Sequence, residues 1–187
     1  MKKSTHLLLA ALCAFAISTA AQAQDTNNLQ TAIGVFEDRP DLVIIKGFDQ
    51  IGSISVGNEE IAVRYKETIE AHGGARIYGL AIVINGNAAP RERIYVDYDE
   101  INPLLNGLDY LIKISDDVTS LPAFEAFYST KSGLKFIANS DRKNGGIRNS
   151  LQYADHPRIW LSSVQMTQLY NYIAQAKQDL DAMKSGK

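Results

Sequence analysis

Twice along this chain a series of alternating apolar residues gives way to a stripe spaced at three and four. Alternation at period two is the mark of a half-buried strand, and the three-four spacing is the mark of a helix with one apolar face. In the first half, Asp41 to Phe48 is a compact apolar run, and Ile54 and Val56 continue it after a break at Gly52. Gly57-Asn58 reads as a turn. Ile61, Val63, Tyr65 and Ile69 then alternate with polar or small residues. His72-Gly73-Gly74 closes a hairpin into Tyr78, Leu80, Ile82 and Ile84, which Asn85-Gly86 ends. Ile94 and Val96 mark a fourth, short strand. Ile101, Leu104, Leu105, Leu108 and Leu111 follow as a helical stripe. Asp97 with Glu100 predicts a capping box at its start, and Asn102-Pro103 is a second possible start. Gly107 weakens this helix by about 1 kcal/mol against alanine.

The second half repeats the order. Ala126 and Tyr128 alternate with Glu125 and Ser129, and Lys131-Ser132-Gly133 turns the chain into Leu134, Phe136 and Ala138. Residues 141–146 form a loop before Ile147, Leu151 and Tyr153. Asp155-His156-Pro157 breaks the pattern, and Ile159 and Leu161 form a last short strand. Met166, Leu169, Ile173, Ala176, Leu180 and Met183 define the final helix. Ser162 and Gln165 supply its capping box, with Leu161 and Met166 as a staple. The two strand-to-helix junctions align at an offset of 65: Arg93-Ile94-Tyr95-Val96 with Arg158-Ile159-Trp160-Leu161, and Ile101, Leu104 and Leu108 with Met166, Leu169 and Ile173.

The expected fold is therefore α+β: antiparallel sheets with two packed helices, in the order (ββββα) taken twice. That order resembles the Whirly and PUR-repeat folds, in which two such units pack as crossed sheets. The resemblance is topological and implies single-stranded nucleic-acid binding. None of the sequence motifs of those families is present, so no functional residue carries over. The alternative is a curled antiparallel barrel with a C-terminal helix, of the pleckstrin-homology type. The segments DYDEINPLLNGLDYL (97–111) and TSLPAFEAFYSTKSG (119–133) are similar to stretches in small secreted bacterial proteins of unknown function, and imply no chemistry.

Residues 1–23 read as a secretory signal. Lys2 and Lys3 precede an apolar run from Leu7, and Ala21-Gln22-Ala23 is a cleavage site before Gln24. The run is too short for a bilayer core of roughly 30 Å, and no later segment approaches that length, so no stable membrane insertion is expected. Residues 24–31 read as a flexible segment, 32–184 as one domain and 185–187 as a disordered tail. Removing 23 residues from 187 leaves 164, enough for a single core. It also removes Cys13, the chain's one cysteine, so the mature chain offers no thiolate, disulfide or cysteine ligand. Lys+Arg number 19 and Asp+Glu 21; without Lys2 and Lys3 the balance is 17 against 21. A mildly acidic chain lacks the field that draws proteins to nucleic acid.

No catalytic constellation assembles in the sequence. His72 and His156 sit at turns, without the close ligand spacing of a zinc site. Ser132-Gly133-Leu134-Lys135 matches Ser-x-x-Lys but spans a hairpin rather than a helix start. Asp97, Asp99 and Glu100, and Asp116 with Asp117, are carboxylate clusters; the first flanks a helix start, where negative charge is favoured anyway. Neither a metal nor a cofactor is expected.

Two candidate sites remain. Arg93 and Tyr95 share one face of their strand, and Arg158 and Trp160 repeat the arrangement. Four such side chains looking away from the helices would stack on sugars, bases or a partner's side chains; the alternative is that Tyr95 and Trp160 fill the core between crossed sheets. The second candidate is a basic Gly-rich anion loop formed by Arg142, Lys143, Gly145, Gly146 and Arg148. The expectation is an exported, non-catalytic binding or accessory protein, periplasmic or secreted, whose partner is an envelope or extracellular protein or a glycan. A hydrolase whose carboxylates converge in the fold, and a single-strand nucleic-acid binder, are the alternatives.

Overall fold

The computed structural model describes residues 31–86, 92–141 and 145–186; the proposed leader and cleavage site lie outside them. Two four-stranded antiparallel sheets are built in chain order. The first contains β1 (Ile44–Val56), β2 (Glu59–Glu70), β3 (Arg76–Asn85) and β4 (Glu92–Asp97). The second contains β5 (Ala123–Ser129), β6 (Leu134–Asp141), β7 (Ile147–Tyr153) and β8 (Ile159–Leu161). A short helix, α1 (Ala32–Glu37), precedes the first sheet. A 3₁₀ turn (Tyr98–Glu100) and α2 (Ile101–Lys113) follow it, and α3 (Ser163–Lys184) follows the second sheet. The order is the (ββββα) unit taken twice. The sheets stay open and separate, so the barrel alternative is not realised.

The helices exchange sheets. α2 packs on β5 and β6 of the second sheet, α3 packs on β1 and β2 of the first, and the two helices touch each other. Ile101, Leu104, Leu108 and Leu111 of α2 join Met166, Leu169, Ile173, Ala176 and Leu180 of α3 in one buried core. The inner faces of both sheets line it, through residues such as Ile61, Val63, Leu80, Ile82, Phe136 and Leu151. The offset of 65 in sequence is thus an equivalence in packing, since its six apolar helix positions are all buried.

Three local expectations are revised. β1 does not break at Gly52; its register with β2 shifts between Gln50 and Gly52, which places a bulge at Ile51. A Cβ at Gly52 would lie 2.5 Å from the Tyr172 ring of α3, so a larger residue there displaces that ring. The capping box at Asp97 and Glu100 does not form, and neither side chain caps the helix after it. The Asp97 carboxylate instead accepts the N–H groups of Ala32 (2.8 Å) and Ile33 (3.1 Å) at the start of α1. Thr31, read as part of the polar start, is the buried N-cap of that helix and accepts from the Gly34 N–H. The box at Ser162 and Gln165 forms in full.

Candidate functional site

The alternation of β4 and β8 sets their apolar residues and the predicted side chains on opposite faces. Ile94, Val96 and Leu161 face inward, and Tyr95 and Trp160 do not join the shared core. The four residues nevertheless do not make one surface. Arg93 and Tyr95 lie on the outer face of the first sheet, Arg158 and Trp160 on that of the second.

Tyr95 is committed to the structure. Its ring packs on Ala62, Ala81 and Val83, and the Lys66 ammonium lies 4.1 Å from its centroid. Its hydroxyl donates to Glu37 Oε2 at 2.8 Å. Glu37, at the end of α1, also takes Lys46, Lys66 and Thr68. Burial raises its carboxyl, but the hydrogen bonds from Lys46, Lys66 and Tyr95 outweigh that and bring it to about 2. This corner fastens α1 to the sheet.

Trp160 is different. It is 45% exposed, and its cationic partner is Arg148 of β7, whose guanidinium carbon lies 4.3 Å from the ring centroid. Arg158 turns the other way. It reaches Glu125 Oε2 at 2.9 Å and Asn139 Oδ1 at 3.2 Å, and Asn139 donates to the same Glu125 oxygen at 2.8 Å. The Glu125 carboxyl is held below its ordinary value, chiefly by the Asn139 hydrogen bond and also by Arg158, against the effect of burial. Glu125, Asn139 and Arg148 follow one another across β5, β6 and β7 on this outer face.

The Gly-rich loop meets this group. Gly145 and Gly146 take φ of 90° and 75°, which only glycine adopts freely, and they deliver Arg148 to the start of β7. Arg142 and Lys143 lie outside the described residues. Gly145, Gly146, Arg148, Glu125 and Asn139 border a cavity of about 540 Å³, with Trp160 as a wall. Trp160 also borders a second cavity of about 300 Å³ between the ends of the two sheets, where Val56 and Ile84 face Leu151, Ile159 and Tyr153 and Arg158 stands among the lining residues. Tyr153 stacks with His156 there, centroids 6.3 Å apart.

Strand parity sets Trp160 and Arg158 opposite Ile159 and Leu161, but Glu125, Asn139 and the Arg148–Trp160 pair depend on cross-strand register. The apolar cavity brings together residues about one hundred positions apart. In the first carboxylate cluster Glu100 accepts the Lys131 N–H and Asp99 pairs with the Lys131 ammonium at 3.1 Å; in the second Asp116 accepts from Ser140 and Asp117 from Ser115. Burial raises the Glu100 carboxyl, with the Lys131 N–H opposing it. Ser132 bonds Thr130 within the hairpin turn. Among the described residues, no three His, Cys, Asp or Glu gather as a metal site, and no helix is long and apolar enough to cross a membrane.

No protein-family model matches the chain, and no curated protein matches it.

Proposed function

We propose that this chain is an exported, non-catalytic binding protein whose ligand seats at Trp160. One observation carries the reading: a large exposed aromatic ring is the wall common to two adjoining cavities, one largely apolar and one bordered by Arg148, Glu125 and Asn139. A ring with an apolar recess on one side and hydrogen-bonding side chains on the other suits an amphipathic group. A sugar ring or a partner's aromatic side chain has that character, so the ligand is a glycan or protein of the envelope or the extracellular space. The leader-like residues 1–23 support export.

Trp160 is the only tryptophan in the chain, so its emission reports the site directly. Envelope glycans or proteins that bind should change that emission. Trp160→Ala combined with Arg148→Ala should reduce their capture at least ten-fold while leaving the circular dichroism spectrum unchanged. Undiminished capture by the folded double variant refutes the reading. An emission change with single-stranded oligonucleotide, steeply weakened by salt, would favour the nucleic-acid alternative instead.

A further inference from the structure

β1 is the edge of the first sheet, and its two halves are finished differently. The C-terminal half is covered: the Ser55 carbonyl accepts from Gln165 of α3 at 2.8 Å, Tyr172 lies on Gly52, and β8 approaches. In the N-terminal half every residue from Ile45 to Gln50 is exposed, with Ile45 at 52% and Phe48 at 65%. The direction of its backbone groups follows from one bond. The Ala71 N–H donates to the Val43 carbonyl, and successive residues of a strand present their N–H and C=O to opposite sides. Ile44, Lys46, Phe48 and Gln50 therefore aim theirs away from β2. The Asp49 carboxylate holds the Gln50 N–H at 2.7 Å, an exposed contact that a facing carbonyl replaces. An open edge of this kind is a template for another strand.

We propose that a second copy of this chain pairs its own β1 here, antiparallel, about a two-fold axis at Gly47. The register is argued by elimination. A two-fold normal to the sheet keeps outer face with outer face, so the axis passes through a residue. Centred on Lys46 or on Asp49, it opposes that residue to its own copy, and like charges directly opposite are destabilising. Centred on Phe48, it leaves Ile44 facing Gly52, beyond the bulge; centred on Ile45, it leaves Phe48 and Gln50 facing residues that precede the strand. Centred on Gly47, it sets Ile44 against Gln50 and Lys46 against Phe48, each twice. All four outward backbone positions are then matched, each Lys46 lays its apolar stem beside a Phe48 ring of the other copy while its ammonium keeps Glu37, and neither Lys46 nor Asp49 opposes its own copy. The interface is isologous, as a closed dimer requires. Gly47 falls at a non-hydrogen-bonded pair, where strands come closest, about 4.5 Å between Cα atoms.

That spacing supplies the test. In the full-length chain carrying Cys13→Ser, Gly47→Cys should form a disulfide with its copy under mild oxidation, since the Cα separation suits one. The added Cβ meets only the Glu67 carbonyl oxygen, at an ordinary 3.9 Å. Ile45→Cys and Asp49→Cys should crosslink at least ten-fold less, because each stands four residues, roughly 13 Å along the strand, from its copy. The unmutated chain should have twice the monomer mass by light scattering and slow amide exchange at Lys46 and Phe48. Phe48→Lys, which opposes lysines twice, should be monomeric. The proposal is overturned if the unmutated chain is a monomer, if positions 45 and 49 crosslink as well as 47, or if Lys46 and Phe48 exchange freely within a dimer. A monomer that captures an extended peptide of another protein on this edge overturns it equally.

Discussion

Glu37 and Lys66 form an ion pair in which both side chains are only 4% exposed. The acid comes from α1 and the base from β2, so the pair fixes a helix to the outer face of a sheet. The folded Glu37 carboxyl lies near 2 against 4.5 ordinarily, so its contribution is complete above about pH 4.5 and disappears as pH falls through 2. The shift corresponds to about 3 kcal/mol. Lys66 sits below its ordinary value because burial disfavours its charge, with the Glu37 hydrogen bond and charge opposing. Urea midpoints measured from pH 6 to pH 2 should fall more steeply for the natural chain than for Glu37→Gln. At pH 7 the substitution should cost about 3–5 kcal/mol, because it leaves the Lys66 ammonium buried without its counter-ion, and adding Lys66→Met should recover part of that loss.

Asp97 makes a second attachment for the same helix. Its carboxylate takes the Ala32 and Ile33 N–H groups, donors that no turn of α1 satisfies. Asp97→Ala should cost about 1–2 kcal/mol, and Asp97→Asn less, since an amide oxygen still caps. Hydrogen exchange should localise the loss of protection to residues 32–38, with the core of α2 and α3 unaffected.

This attachment also shows where sequence reasoning stops. The strands and the two long helices are legible because each carries its own periodicity, and Ser162 and Gln165 are legible as a box because both partners lie within one turn. A six-residue helix has too little period to read, and beside its local cap, Thr31, the carboxylate that takes its first two N–H groups lies 65 residues away. Asp97 stands three residues before Glu100, the spacing of a local box, but its acceptors are used across the fold. The same limit applies at the candidate site. Parity sets Trp160 opposite Ile159 and Leu161; it does not tell that this face is open, that Arg148, on the neighbouring strand, covers the ring, or that Arg158 bonds Glu125. Those facts need the register of three strands.

The pairing at Trp160 is separable in solution. Arg148→Ala removes the cation from the indole face and should shift Trp160 emission, with a stability change of no more than about 1 kcal/mol for an exposed contact. Arg158→Ala should leave the emission nearly unchanged. It should raise the Glu125 pKa modestly, because Asn139 supplies the larger share of the lowering. Fluorescence spectra of both variants, with a pH titration of Glu125 by NMR, check the two halves.

Gly107 gives a prediction whose sign the structure reverses. Helix propensity alone favours alanine at this interior position by about 1 kcal/mol. Here a Cβ would lie 2.3 Å from Tyr128 Cδ2, 2.7 Å from its Cγ and 3.1 Å from its Cβ. These contacts include the root of the side chain, so rotation of the ring does not relieve them. Tyr128 belongs to β5, on which α2 packs, and the glycine sets how closely helix and sheet approach. Gly107→Ala should therefore destabilise the protein by about 1–3 kcal/mol, the usual cost of overpacking. With Tyr128→Ala already present the two ring contacts are gone and only the 3.1 Å Cβ contact remains, so the same substitution should cost less by at least about 1 kcal/mol, which approaches neutrality. A double-mutant cycle in urea measures the difference; an equal cost in both backgrounds would show that the close approach of Tyr128 is not what demands glycine at 107.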